Sequence, residues 1–320
     1  MKETMSSGLV YGVIGAGAVG GYYGGKLAAS GGDVHFLYRS EYDVVRRRGL
    51  RIRSAGEVLT IRVCAYDKPE DLPPLDCLII ALKATSNPAL EDLLPRLRRV
   101  PRMVVTLQNG LGNEEFLAGF FGEERIVAGT AFICSERTAP GEVTHFSAGT
   151  LRLAPFRSAT FREREILEST ASDFRRAGVE TLLDEDGPRI KWLKLIWNIP
   201  FSGLAVFYGG ITTDQILAVP ERLALARELM EEIVAGARLY GIEISEKAIE
   251  KNIEATYPMG AYRPSMLVDF LNNRPMEIEA IVGEPLRRIK ARGGTCTALE
   301  RLYRGLVERA KESEVGRLSR

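Results

Sequence analysis

An α/β domain followed by an all-α domain is the fold class that this 320-residue sequence predicts, and three observations predict it. Residues 9–25 read strand, tight turn and helix: Leu9, Val10, Val13 and Ile14 lead into Gly15-Ala16-Gly17-Ala18-Val19-Gly20, the G-x-G-x-x-G spacing of a dinucleotide-binding turn. Apolar runs of strand length recur at 33–38, 76–82, 103–107 and 126–134, as strands buried on both faces require. Past Asp184-Glu185-Asp186-Gly187-Pro188 the apolar period changes from 2 to 3.6. The reading is thus a Rossmann-type dinucleotide-binding domain over residues 1–185 and a helical domain over residues 186–320.

Bulk properties exclude several functions. Forty-five per cent hydrophobic residues supply a core, and 43 basic against 42 acidic residues leave a charge of +1, so no electrostatic argument favours nucleic acid or a membrane surface. Arg46-Arg47-Arg48 reads as a solvated helix end. Residues 1–8 lack the pattern of a signal peptide, and no stretch reaches the roughly 18 apolar residues of a membrane span. A cytoplasmic protein is expected. Cys64, Cys77, Cys134 and Cys296 form no C-x-x-C pair, which suits reduced thiols, and with two histidines no metal site is expected.

Each element has its own justification. In the glycine turn, Gly15 allows the tight turn, Gly17 clears the approach of a pyrophosphate, and Gly20 lets the helix pack against the sheet. That helix should run to Ser30 and stop at Gly31-Gly32. The strand at 33–38 ends at Arg39, where an arginine suits the 2′-phosphate of NADP and an acid would suit NAD; a solvated arginine is the bland alternative. His35 reads as packing. Residues 50–63 alternate on both sides of Ser54-Ala55-Gly56 as a β-hairpin. The strand at 76–82 delivers Lys83 to the carboxyl edge of the sheet, either toward a cofactor's ribose and phosphates or into solvent. The strand at 103–107 closes on Gln108-Asn109-Gly110-Leu111-Gly112, where Asn109 is either a turn former or a ligand to ribose or substrate. Residues 126–134 form a further strand, and 141–154 read as two antiparallel strands around Ala148-Gly149, with His145 a hydrogen-bonded strand residue. A helix at 162–177 and a strand at 179–183 complete the domain.

The second half is helical. Pro220 fits a first helical position, Leu223, Ala226, Met230, Ile233, Ala237 and Tyr240 share a face, and Gly241 fits the position past the end. Ser245 and Ser265 are expected N-caps, and helices are expected at 279–292 and 298–311. The unusual feature is Trp192–Asn198, WLKLIWN. Lys194 and Asn198 lie four apart on one face amid apolar neighbours, and Ser202 would extend the stripe. The lysine is either snorkelling or held for a purpose. Pro200 is expected to kink or end the helix and so to carry Ser202 off the stripe. Glu277 stands at a helix start, where carboxylates are common for dipole reasons alone.

Together the glycine turn, Arg39, Leu82-Lys83-Ala84, Gln108-Asn109-Gly110, the strand pair with Gly141, His145 and Gly149, Lys194 with Asn198, and Ser265-Met266 followed by Asp269 and Glu277 resemble the ketopantoate reductases, in order along nearly the whole chain. The resemblance implies reduction of 2-dehydropantoate to pantoate with NADPH in pantothenate synthesis, the small-molecule 2-keto acid being the partner; a homodimer is compatible with it. Carried over, Lys194 is the catalytic general acid and Glu277 acts with it. Asn109, Lys194, Asn198, Ser202 and Ser265 bind substrate; Gly15, Ala16, Gly17, Ala18, Val19, Gly20, Arg39, Lys83, Asn109, Ser135 and Glu277 serve the cofactor. Ser202, Tyr262 and Pro200 depart from the family pattern on the substrate side. A reductase of another 2-keto acid, an opine- or 3-hydroxyacid-type dehydrogenase, and a non-enzymatic NADP sensor remain the alternatives.

Overall fold

The computed structural model describes residues 8–157 and 160–318, with side chains described as far as residue 312. Residues 1–7, part of the stretch read above for a signal peptide, lie outside that set. The chain forms two compact units, residues 1–108 with 113–190 and residues 109–112 with 191–320.

In the first unit the described residues form one ten-stranded sheet: β1 (Val10–Ile14), β2 (Asp33–Leu37), β3 (Leu50–Ser54), β4 (Glu57–Ile61), β5 (Cys64–Tyr66), β6 (Cys77–Ile80), β7 (Met103–Thr106), β8 (Ile126–Ala139), β9 (Glu142–Pro155) and β10 (Thr181–Leu183). Their order is β4-β3-β9-β8-β7-β6-β1-β2-β5, with β10 beside β9. β1 pairs in parallel with β2 on one side and β6 on the other. The strand order reverses there, and the carboxyl ends of strands at such a point are where open α/β sheets bind ligands. The helices are α1 (Ala18–Ala29), α2 (Tyr42–Arg48), α3 (Asn87–Leu93), α4 (Asn113–Phe121) and α5 (Phe161–Arg176). Cys77 and Ile79 of β6 join a core with Leu27 of α1 and Phe174 of α5. Leu78 and Ile80, pointing the other way, join Leu90 of α3 and Leu117 of α4. A strand covered on both faces has no polar side to show, which is why β6 reads CLII.

Two expectations at the strands are corrected. Residues 141–154 are one strand, β9, whose partner is the upstream β8 along its whole length. Ala148 and Gly149 have φ of 60° and 129°, and the register shift beside Ile133 makes them a bulge rather than a turn. The three-residue edge strand β5, pairing with β2, was not anticipated, because it is too short to show a period. The β3–β4 hairpin turns where expected, with Ala55 and Gly56 both at positive φ. His145 donates from Nε2 to Ala148 O (2.8 Å) and shares a hydrogen bond with Ser54 Oγ at Nδ1 (2.9 Å), packed on Tyr22.

Around the second unit run α6 (Gly187–Trp197), α7 (Leu204–Phe207), α8 (Thr213–Leu217), α9 (Pro220–Arg238), α10 (Lys247–Thr256), α11 (Ser265–Leu271), α12 (Glu284–Ala291) and α13 (Thr297–Leu318). Pro200 neither ends nor kinks the run away: residues 198–203 form a π turn joining α6 to α7. Proline has no N–H to give an α ladder, and a π turn tolerates the gap. A second π turn, Glu279–Gly283, leads into α12. α9 ends as expected, with Ile242 N bonded to Ala237 O and Gly241 N to Arg238 O while Gly241 holds φ 71°. Ser245 Oγ accepts from Lys247 N, but it lies one residue before the N-cap position of α10, which Glu246 holds with no side-chain cap. Ser265 is the first residue of α11 and is no side-chain cap.

Residues 109–112 sit between β7 and α4 in sequence yet belong to the second unit. Leu111 N donates to Ala280 O (2.9 Å), and Leu111 is buried in that unit's core with Ile199, Ile281 and Val282. Gly110, at φ 84°, lies so close that an added Cβ would stand 2.1 Å from Ala280 O.

Candidate active site

In the first unit the glycine turn has the shape its spacing foretold. Gly15 holds φ 94°, and a Cβ there would stand 2.4 Å from Leu82 N; a Cβ on Gly20 would stand 2.4 Å from Gly15 O. At Gly17 a Cβ would meet nothing within 4 Å. The turn is therefore closed on the protein side and open where a pyrophosphate would come. α1 begins at Ala18 with no side-chain cap, so its first N–H groups face outward as a ready anion site. These residues fit a dinucleotide.

Arg39 and Ser40 are both exposed just past the end of β2. Lys83 is exposed where a single 3₁₀ turn follows β6. On β8 the Ser135 hydroxyl is buried with no hydrogen-bond partner among the described residues. A chain of side chains that sequence reading missed lies below this edge: Thr106 Oγ1 donates to Gln108 Oε1, Gln108 Nε2 to Asn87 Oδ1 (2.7 Å), and Asn87 Nδ2 to Asn113 Oδ1 (3.0 Å). Its members come from separate strand and helix ends, which no spacing rule connects.

In the second unit Lys194 is partly buried one turn before the buried Asn198, and Ser202 is buried in the π turn after it. Burial among apolar neighbours pushes the Lys194 ammonium down to about 7, the Lys191 charge pushes it the same way, and Glu277 opposes both. Lys191, only 3% exposed, was not singled out from sequence; its spacing of three from Lys194 was the signal. Glu277 is buried, and its Oε2 accepts from Asn109 Nδ2 at 3.2 Å. Its backbone carbonyl opens the helical run by accepting from Ile281 N, while its carboxylate accepts from Asn109. The unit thus brings Asn109, Glu277 and Lys194 into one electrostatic group. Ser265 is exposed at the start of α11, and no hydrogen bond among the described residues joins it to that group. Beside the stripe stands an aromatic wall. Trp197 donates from Nε1 to Thr256 Oγ1 (2.9 Å), with ring centroids 5.4 Å from Phe201 and 6.1 Å from Tyr262.

An ammonium poised near neutrality beside a buried carboxylate can stabilise an oxyanion and deliver a proton to it. Comparison with known proteins gives the family. Residues 11–158 match the family model described as ketopantoate reductase PanE/ApbA, and residues 188–310 match its C-terminal model. The chain is 35% identical over 312 residues to a 2-dehydropantoate 2-reductase of Nostoc sp., covering 97% of this chain and 98% of that protein. It superposes on a 2-dehydropantoate 2-reductase of Geobacter metallireducens with a TM-score of 0.88 at 39% identity, covering 94% of this chain and 99% of that one. At the level of fold alone it is similar to a D-mandelate dehydrogenase solved with NADH and anilino(oxo)acetate, with a TM-score of 0.87 at 20% identity over 95% of this chain and all of the other.

Proposed function

The chain belongs to the ketopantoate reductase family, and from that premise we propose that it is an NADPH-dependent 2-dehydropantoate 2-reductase making pantoate for pantothenate synthesis. The observation that carries the reading is the Lys194 group. A lysine held to about 7 keeps enough of its proton at neutral pH to act as an acid and gives it up readily.

The cofactor, when bound, supplies hydride for the keto carbon. As negative charge grows on the keto oxygen, the Lys194 ammonium stabilises it and then donates its proton. Glu277 keeps that ammonium charged, and Asn109 fixes the Glu277 carboxylate through its 3.2 Å bond. Asn198, Ser202 and Ser265 are the groups proposed to hold the keto acid by its polar atoms. On the cofactor side, residues 15–20 and the start of α1 would take the pyrophosphate, and Arg39 the 2′-phosphate, with charge-assisted bonds each worth roughly 1.5–3 kcal/mol. Lys83 and Ser135 would complete the hold on the cofactor.

Following loss of nicotinamide absorbance from NADPH with a panel of 2-keto acids tests the proposal. The highest kcat/KM should fall to 2-dehydropantoate. Another keto acid leading the panel would replace the substrate, and cofactor binding without turnover of any would make the protein a sensor.

A further inference from the structure

Counting from the glycine turn, the acid that would mark an NAD enzyme is present. Glu41 lies 21 residues beyond Gly20, and an Asp or Glu about 20 residues on is the usual acceptor for the adenosine ribose 2′-OH. The same region carries Arg39, 19 residues on, so spacing alone leaves two opposed cofactor preferences two residues apart.

The structure separates them by burial. Glu41 is 7% exposed, and both carboxylate oxygens are engaged: Oε1 pairs with the Arg137 guanidinium of β8, and Oε2 accepts from Gly141 N at 2.8 Å. Gly141 is itself pinned, because its carbonyl accepts from Arg51 N at 2.8 Å. Its φ of 68° belongs to the tight β8–β9 connection, and a Cβ there would stand 2.9 Å from Val45 Cγ2. Glu41 O also accepts from Val45 N, opening α2. The connection between β2 and α2, residues 38–41, is thereby tied down at its last residue, and only Arg39 and Ser40 of it remain exposed.

We propose that Glu41 is a positioning residue for cofactor selectivity. Drawn into the β8–β9 hairpin and neutralised by Arg137, it withdraws the negative charge that would bond a free 2′-OH and repel a 2′-phosphate, and it fixes the turn that presents Arg39. This rests on the reading of Arg39 as the 2′-phosphate group. A buried carboxylate with a charged partner and a backbone N–H is also costly to disturb, so the turn has one arrangement rather than several.

The test is the ratio of kcat/KM for NADPH to that for NADH, measured on the whole protein in Glu41→Ala, Glu41→Gln, Arg137→Ala and Arg39→Ala. A purely structural role would lower both cofactors together and leave the ratio unmoved. The expectation is a ratio lowered about tenfold in Glu41→Ala and in Arg137→Ala, the size of one lost charge-assisted bond. Glu41→Gln, whose amide oxygen still accepts from Gly141 N, should stay within about threefold of wild type. If Arg39→Ala collapses the ratio while Glu41→Ala and Arg137→Ala leave it alone, the inference is wrong and the Arg39 reading stands. If Arg39→Ala itself leaves the ratio alone, the Arg39 reading fails and the inference with it.

Discussion

A general acid must hold its proton until an oxyanion asks for it, and at Lys194, proposed above for that role, burial and two charged neighbours decide how firmly. Desolvation and Lys191 loosen the proton; Glu277 holds it. Replacing Lys194 with Ala should lower kcat by about 10²- to 10⁴-fold, the usual contribution of a positioned proton donor, while cofactor affinity, proposed to rest on the glycine turn and Arg39, should largely survive. Near wild-type kcat in the folded variant would assign the proton to another group. The sign of the pH dependence follows from protonation: the ammonium dominates below about 7, so kcat/KM should be full on the acid side and fall as pH rises through that value. Glu277→Gln removes the group that raises the lysine and should move the fall to lower pH. Lys191→Gln removes a like charge and should move it higher. Opposite displacements in the two pH profiles are the signature, and displacement in the same direction would exclude this electrostatic picture. From sequence, Lys194 stood out because its flanks are apolar. Lys191 did not, because burial of a lysine beside Ile190 and Trp192 depends on packing that periodicity does not report.

At the scale of elements, two π turns occur near these residues, at 198–203 and 279–283, and they pack against one another. The first was half legible. Pro200 announced that the ladder would break, but whether a helix ends or adds a residue to one turn depends on what it packs against. Here Ile199 and Phe201 are fully buried, so leaving the helix would expose both. The second π turn carries Ala280, on which Gly110 rests. Gly110→Ala brings a Cβ against the Ala280 backbone at positive φ, a strain of about 1–3 kcal/mol before the clash is counted. The loop should lift, Asn109 should leave Glu277, and both melting temperature and kcat should drop. Gly112→Ala has the same positive φ but meets nothing nearer than Glu284 Cγ at 3.6 Å, so its loss of kcat should be much the smaller. Equal losses of kcat in the two variants would show that backbone strain, not docking on Ala280, is what matters.

Over the whole molecule, a linear reading recovers the order of elements better than their membership. The alternating cores of β6, the glycine turn and the buried face of α9 follow from local patterns, and local patterns are what a sequence displays. Membership of residues 109–112 is a different kind of fact: Asn-Gly-Leu-Gly reads as a turn ending β7, and nothing local says that Leu111 packs with Ile199 and Val282. The consequence is measurable. Leu111 is 5% exposed in the second unit's core, so Leu111→Ala should cost about 2–5 kcal/mol, as large-to-small core changes do. The location of that cost distinguishes the assignments. A loop residue of the first unit would, when truncated, loosen β7 and α4; a core residue of the second should loosen residues 191–312 and leave the sheet alone. Hydrogen exchange on the variant, compared with wild type under conditions where both are folded, should therefore show faster exchange in α6, the π turns and α12, with unchanged protection in β1, β6 and β7. Faster exchange confined to β7 and α4 would return residues 109–112 to the first unit.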